Sequence, residues 1–256
     1  LRERLLAQDA ETLETFWDAA LRPGFPDQPT PGEEDVALQR PYSLTRNLYT
    51  QAILKGDRTN ALKIILEALD AGTPPVDLYA EVLQESLYRV GGLWEANEIT
   101  VAQEHMATAI TQNVMASLYP RLKRNPVRLG KMVLTGTEGE LHQVGAMMLA
   151  DVLEADGWDV CFLGADVPLD GIVKCVEEHQ PQVLGISTMM LFNVPRVSEL
   201  VGACRALPDN GKLRVIVGGG AFRHAPQLYR EVGADAFAPD LHAACAVMRQ
   251  WSGTPS

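Results

Sequence analysis

The chain has 256 residues, 46% hydrophobic and 21% charged, with 22 basic residues against 33 acidic ones and a formal net charge of -11. That length allows two modest domains, and the acidic balance, with no basic cluster along the chain, excludes non-specific nucleic-acid binding as an expected role. No apolar run reaches bilayer-spanning length and Leu1-Arg2-Glu3-Arg4 opens no signal-peptide core, so a cytoplasmic protein with no membrane contact is expected.

Taken in order, residues 1–40 are expected to form an N-terminal amphipathic helix followed by a linker. Leu6, Ala10, Leu13, Phe16 and Ala20 step by threes and fours, and Pro23, Gly24, Pro26, Pro29, Pro31 and Gly32 then break the pattern. Residues 41–125 are helical throughout. Ser43 is placed to cap a helix running to Lys55, and Thr59 or Asn60 to cap a second one carrying Leu62, Ile65, Leu66 and Leu69. A third helix follows Pro74-Pro75, with Leu78, Val82, Leu83, Leu87 and Val90 on one face and Gly91-Gly92 interrupting it. A fourth spans Thr100 to Leu118, so the segment is expected to be a four-helix bundle.

Over residues 126–256 strands alternate with helices. Met132 to Thr135, Asp159 to Leu163, Val183 to Ile186, Arg214 to Val217 and Ala234 to Phe237 are the strand candidates, as for a five-stranded, doubly wound parallel sheet of flavodoxin-like or Rossmann type. Cys161, Cys175, Cys204 and Cys245 lie in apolar segments without C-x-x-C spacing; they read as core thiols of a reducing compartment, not as a disulfide frame or a zinc site.

The first strand leads into Glu140-Leu141-His142-Gln143-Val144-Gly145, with a helix opening near Gln143. In strand order 2-1-3-4-5, that loop and the end of the third strand, Ser187-Thr188-Met189, face one crevice at the carboxyl edge, where open α/β sheets bind ligands. Glu140 is near enough in sequence to hold one imidazole nitrogen of His142 while the other faces a metal. Gly145 allows close approach, and Gly218-Gly219-Gly220 beyond the fourth strand leave room for a flat ring or nucleotide tail. The plainer alternative for each is a polar loop residue and a tight turn.

Glu140-x-His142-x-x-Gly145, followed 42 positions later by Ser187-x-Met189 and then by Gly218-Gly219, resembles the signature of cobalamin-binding domains, Asp-x-His-x-x-Gly, Ser-x-Leu and Gly-Gly. Glu140 replaces the Asp and Met189 the Leu. The resemblance implies that His142 is the lower cobalt ligand, that Glu140 orients it, and that Ser187, Gly218 and Gly219 line a slot for the displaced tail. Within the helical segment, Trp94 followed by Glu104 and His105 resembles the light-sensing adenosylcobalamin proteins of the CarH type and their stand-alone photocobilin relatives.

That second resemblance implies a photoreceptor, not an enzyme, in which light expels an adenosyl upper ligand held near Trp94, Glu104 and His105. It further implies a bilin such as biliverdin as a possible second chromophore, a homodimer or higher homo-oligomer, and signalling to a downstream partner. The alternatives are a corrinoid methyl carrier of a methyltransferase system and a haem sensor on the same fold.

Overall fold

A computed structural model describes residues 42–208 and 212–252. The expected N-terminal helix and linker lie outside these residues. The chain divides into two compact units that meet in sequence between Leu122 and Lys123.

The first unit is helical: α1 (Ser43–Leu54), α2 (Arg58–Asp70), α3 (Glu85–Glu95) and α4 (Val101–Leu118), with the stretch Pro75–Asp77 and a π-helical segment, Leu78–Gln84, leading into α3. Its starts differ in detail from expectation. Tyr42, at φ 65°, turns the chain into α1, so that Ser43 is already inside the helix. Asp57, not Thr59 or Asn60, caps α2 by accepting from the Asn60 amide at 3.0 Å. Thr100 caps α4 as expected, in a capping box with Gln103.

Gly91 and Gly92 do not interrupt α3. Two interior glycines cost about 1 kcal/mol each against alanine, and burial of Ser86 and Val90 on the same helix offsets this. The turn comes later, at Asn97 in the left-handed region, φ 58°.

The core of this unit contains Tyr49, Ile53, Ile65, Leu78, Leu83, Met115 and Leu118, all inaccessible to solvent. Its buried hydroxyls are paired: Tyr49 donates to Thr111 Oγ1 at 3.0 Å, and Thr50 and Ser86 share a 2.9 Å bond.

The second unit is the doubly wound α/β fold the periodicity predicts. It contains β1 (Gly130–Thr137), α5 (Val144–Asp156), β2 (Trp158–Val167), α6 (Leu169–His179), β3 (Val183–Ser187), α7 (Val194–Arg205), β4 (Arg214–Gly218), α8 (Gly220–His224), α9 (Leu228–Glu231), β5 (Ala236–Ala238) and α10 (Leu241–Trp251). The strands lie in the order β2-β1-β3-β4-β5, and every pair is parallel. Both faces are covered, which is why the strands read as continuous apolar runs. Val133, Leu184, Ile186, Val215 and Val217 meet Ile172 and Val176 of α6, Val197 and Val201 of α7, and Phe222 of α8. On the other face α5 packs against α10. No helix among the described residues is long and apolar enough to cross a membrane.

Burial sets an alkaline limit on this fold. It pushes the thiols of Cys204 and Cys245 from 9.0 up to about 11 and about 12, and raises the Tyr49 phenol above 10.0. The folded state therefore holds these protons more tightly than the unfolded state does. Stability from the thiols is complete below pH 9.0, that from Tyr49 below pH 10.0, and each is lost as pH rises towards the folded value, at up to about 1.4 kcal/mol per pH unit per group. Chemical denaturation at stepped pH is expected to show this decline, and Tyr49→Phe to remove the part that begins at pH 10.0.

Candidate cobalamin site at the carboxyl edge of the sheet

The loop after β1 is organised by one carboxylate. Glu140 is inaccessible to solvent. Its Oε1 accepts from the His142 amide at 3.1 Å and from His142 Nδ1 at 2.6 Å. Its Oε2 accepts from the Met189 amide at 2.7 Å, the Met190 amide at 3.3 Å and Asn193 Nδ2 at 3.3 Å. Glu140 thus clamps the loops that follow β1 and β3, which flank the topological switch point. Burial pushes its carboxyl up, but the side-chain and amide hydrogen bonds from His142, the Met189 amide and the nearby imidazole charge outweigh burial and leave it below 4.5.

The same loop is fastened from two other sides. A bulge in β2 around Gly164 (φ +86°) precedes Asp166 (φ 56°). The Asp166 amide donates to the Glu140 carbonyl at 2.8 Å, and its carboxylate accepts from the Gly139 amide at 2.8 Å. Asn193 donates to the Gly139 carbonyl at 3.2 Å, and Arg196 to that of Glu138.

With Nδ1 committed to Glu140, the His142 ring is fixed in tautomer and direction while its side chain stays 54% exposed. A metal bond would fall to Nε2. Gly145, the second residue of α5, has open space where a Cβ would stand.

Ser187 lies in register with Gly136 on one side and Gly218 on the other, and Gly218 with Ala238. Across four strands, the row at the carboxyl edge therefore carries nothing larger than a hydroxymethyl group. Gly219 adopts φ +94° and ψ 174°, and an added Cβ would collide with the Thr188 backbone, 2.7 Å from its carbonyl carbon and 2.9 Å from its nitrogen. The Thr188 amide donates to the Gly218 carbonyl at 3.0 Å, which locks the ends of β3 and β4 together. Thr137 Oγ1, Thr188 Oγ1 and Asn193 Oδ1 are buried without hydrogen-bond partners around this edge. A ring or tail with polar substituents fits such a cradle, as does a metal centre presented to a fixed imidazole.

Of the expected site residues, the fold brings Glu140, His142 and the Met189 backbone into direct contact, with Ser187, Gly218 and Gly219 along the same edge. Trp94, Glu104 and His105 belong to the helical unit. Trp94 lies near the end of α3 and is 45% exposed. Glu104 lies in the first turn of α4, bonds His105, and accepts from Thr108 at 2.8 Å. Asn193, Asp166 and the Met190 amide were not anticipated. No motif marks them, because an Asn or Asp in a loop is ordinarily a turn residue.

Residues 130–247 match a family model described as a B12 binding domain, and residues 45–119 match a second model with the same description. With the fold and the cradle, these matches support cobalamin binding by a chain that joins a helical domain to a five-stranded α/β domain. The chain is similar to monomethylamine corrinoid protein 2 of Methanosarcina acetivorans, 28% identical over 203 residues that span 77% of this chain and 93% of the relative. It is also similar to trimethylamine corrinoid protein 1 of Methanosarcina mazei, 27% identical over 173 residues, 66% of this chain and 79% of the relative. The solved monomethylamine corrinoid protein of Methanosarcina barkeri shares the fold, with a TM-score of 0.72 and 24% identity over 82% of this chain and 99% of that one.

These relatives overturn the expectation of a CarH-like or photocobilin-like photoreceptor, and with it light sensing, photolysis of an upper ligand and signal transduction. Trp94 and Glu104 also suit their places in the helical unit. A carboxylate suits the first turn of α4, where it complements the helix N-terminus, and Trp94 comes just before the turn at Asn97. The matches support cobalamin; they give no support to an adenosyl upper ligand, a bilin or haem.

Proposed function

We propose that this protein is a corrinoid methyl carrier that works with a methyltransferase partner and is not itself the catalyst. Similarity to methylamine corrinoid proteins, over 93% of the length of one of them and across both domains, carries this reading. Small methylated amines are the favoured methyl source, because monomethylamine and trimethylamine both appear in the names of the relatives.

Bound cobalamin supplies a cobalt centre able to hold a methyl group and release it. In this reading His142 would hold the cobalt through Nε2, kept in place by the Glu140–Nδ1 bond, which would raise its basicity and fix its aim. Ser187, Gly218 and Gly219 would line a slot for part of the cofactor, and Gly145 would leave clearance for it. Trp94, Glu104 and His105 are offered to the cofactor or the partner from the helical domain.

The test is transfer of radiolabelled methyl, in the dark under reducing conditions, from mono-, di- and trimethylamine to the holoprotein in the presence of its host's methyltransferases. Label retained on the corrinoid-bearing chain is the expected result, reduced about 10–100-fold in His142→Ala. Absence of label with all three amines would sink the methylamine assignment. Electron paramagnetic resonance of the cobalt(II) form reads the ligand separately: the nitrogen hyperfine pattern is expected to change in protein labelled with 15N-histidine and to vanish in His142→Ala.

A further inference from the structure

At the opposite, amino-terminal edge of the same sheet, three metal-binding side chains converge. Cys161 of β2 and Cys175 of α6 place their sulfurs 3.8 Å apart, and Cys175 Sγ lies 3.6 Å from Nδ1 of His179, the last residue of α6. All three ligand atoms fall within 4.8 Å of one another, and no other such group occurs among the described residues. Of the four cysteines expected to be core thiols, Cys204 and Cys245 are buried, and Cys161 and Cys175 are half-buried against the edge of the core.

Two of the three spacings match those of a coordination site, and the third, between Cys161 and His179, lies within 4.8 Å. Two sulfurs bound at about 2.3 Å to a tetrahedral zinc ion stand about 3.8 Å apart, and a sulfur and an imidazole nitrogen bound at about 2.3 and 2.05 Å stand about 3.6 Å apart. Cys161 and His179 also line a small open hollow of about 40 Å³ together with Asp159, Lys131, Met132 and Pro181. That volume admits an ion with one water and is too small for an organic ligand. Asp159 also lines the hollow, although it is not one of the three residues whose ligand atoms converge.

We propose that Cys161, Cys175 and His179 form a soft transition-metal site, with zinc as the ion its donors and spacing fit best, separate from the site at the carboxyl edge. Without metal, His179 Nδ1 lies 3.0 Å from the Cys175 carbonyl, and burial together with the neighbouring Cys161 thiol pushes the Cys175 thiol up to about 11. Loading exchanges two thiol protons, released to solvent, for one divalent ion. It also moves the imidazole proton to Nε2, leaving a neutral cluster of two thiolates, one imidazole and the ion. Such a staple would tie edge strand β2 to α6.

The test uses the corrinoid-loaded full chain, so that His142 is already engaged, under a non-thiol reductant. Zinc is added against a competing chelator and bound metal is counted by elemental analysis. About one zinc per chain is expected, with affinity lowered at least about a hundredfold in Cys175→Ser and in His179→Ala at unchanged corrinoid content. Because His179 is exposed, its replacement spares the fold. Zinc is further expected to slow maleimide labelling of Cys161 and Cys175. Substoichiometric zinc in the wild type, or equal binding by His179→Ala and Cys175→Ser, would overturn the proposal. So would a Cys161–Cys175 disulfide that persists under the reductant.

Discussion

Replacing Glu140 with glutamine is expected to loosen the apoprotein by about 3–5 kcal/mol and, in the same variant, to weaken corrinoid binding by about 10–100-fold. The two effects share a cause. The carboxylate accepts five hydrogen bonds, two from His142 and three from the segment Met189 to Asn193. An amide retains one accepting oxygen and turns an NH2 group towards donors, so buried N–H groups lose their acceptor in the protein interior. His142 meanwhile loses the bond that fixes its tautomer. Urea unfolding of the apoprotein reads the first effect, and corrinoid titration above the stability threshold reads the second. Unchanged urea unfolding would show that Glu140 does not clamp the two loops. A loss of stability with full corrinoid affinity would remove it from the presentation of His142. Glu140→Asp separates the two roles further, because a carboxylate one methylene shorter that reaches His142 falls short of the Met189 amide.

Gly219→Ala is the second large effect. The backbone there, at φ +94° and ψ 174°, is one that only glycine adopts readily, and the methyl group would press into the Thr188 backbone. Strain and collision together are expected to cost roughly 3 kcal/mol or more, and to part the ends of β3 and β4 that the Thr188–Gly218 bond joins. The thermal midpoint should drop and corrinoid binding should fall with it.

Gly145 is the instructive contrast. Nothing occupies the position of its Cβ, and it lies within α5, so Gly145→Ala should leave the apoprotein unchanged or stabilise it by about 0.5–1 kcal/mol. A leucine there should keep the fold and block the cofactor. Normal corrinoid uptake by Gly145→Leu would show that the open space is solvent rather than macrocycle clearance.

The sequence by itself determined a good deal of this. Five apolar runs separated by helices of about a dozen residues specify a parallel doubly wound sheet, because strands buried on both faces must be continuously apolar. The order β2-β1-β3-β4-β5, expected of the flavodoxin-like form of that fold, is the one observed, with Glu140 and His142 just beyond the end of a strand. Helix starts were legible only where the capping side chain was the obvious one, as at Thr100. At α2 the cap proved to be Asp57, and in α3 packing carried the helix through Gly91-Gly92. The short spacing from Trp94 to His105 suggested the wrong subfamily, which the similarity to methylamine corrinoid proteins corrects.

Only the tertiary structure decided what Glu140 does. Its partners Met189 and Asn193 lie 49 and 53 residues away and meet it because β1 and β3 are neighbours. The row of Gly136, Ser187, Gly218 and Ala238, and the meeting of Cys161 on a strand with Cys175 and His179 on a helix, arise in the same way. Hydrophobic period records which face of an element is buried. It does not record which residues come to stand opposite one another, since that depends on strand register and helix docking, and these are fixed only when the whole core packs.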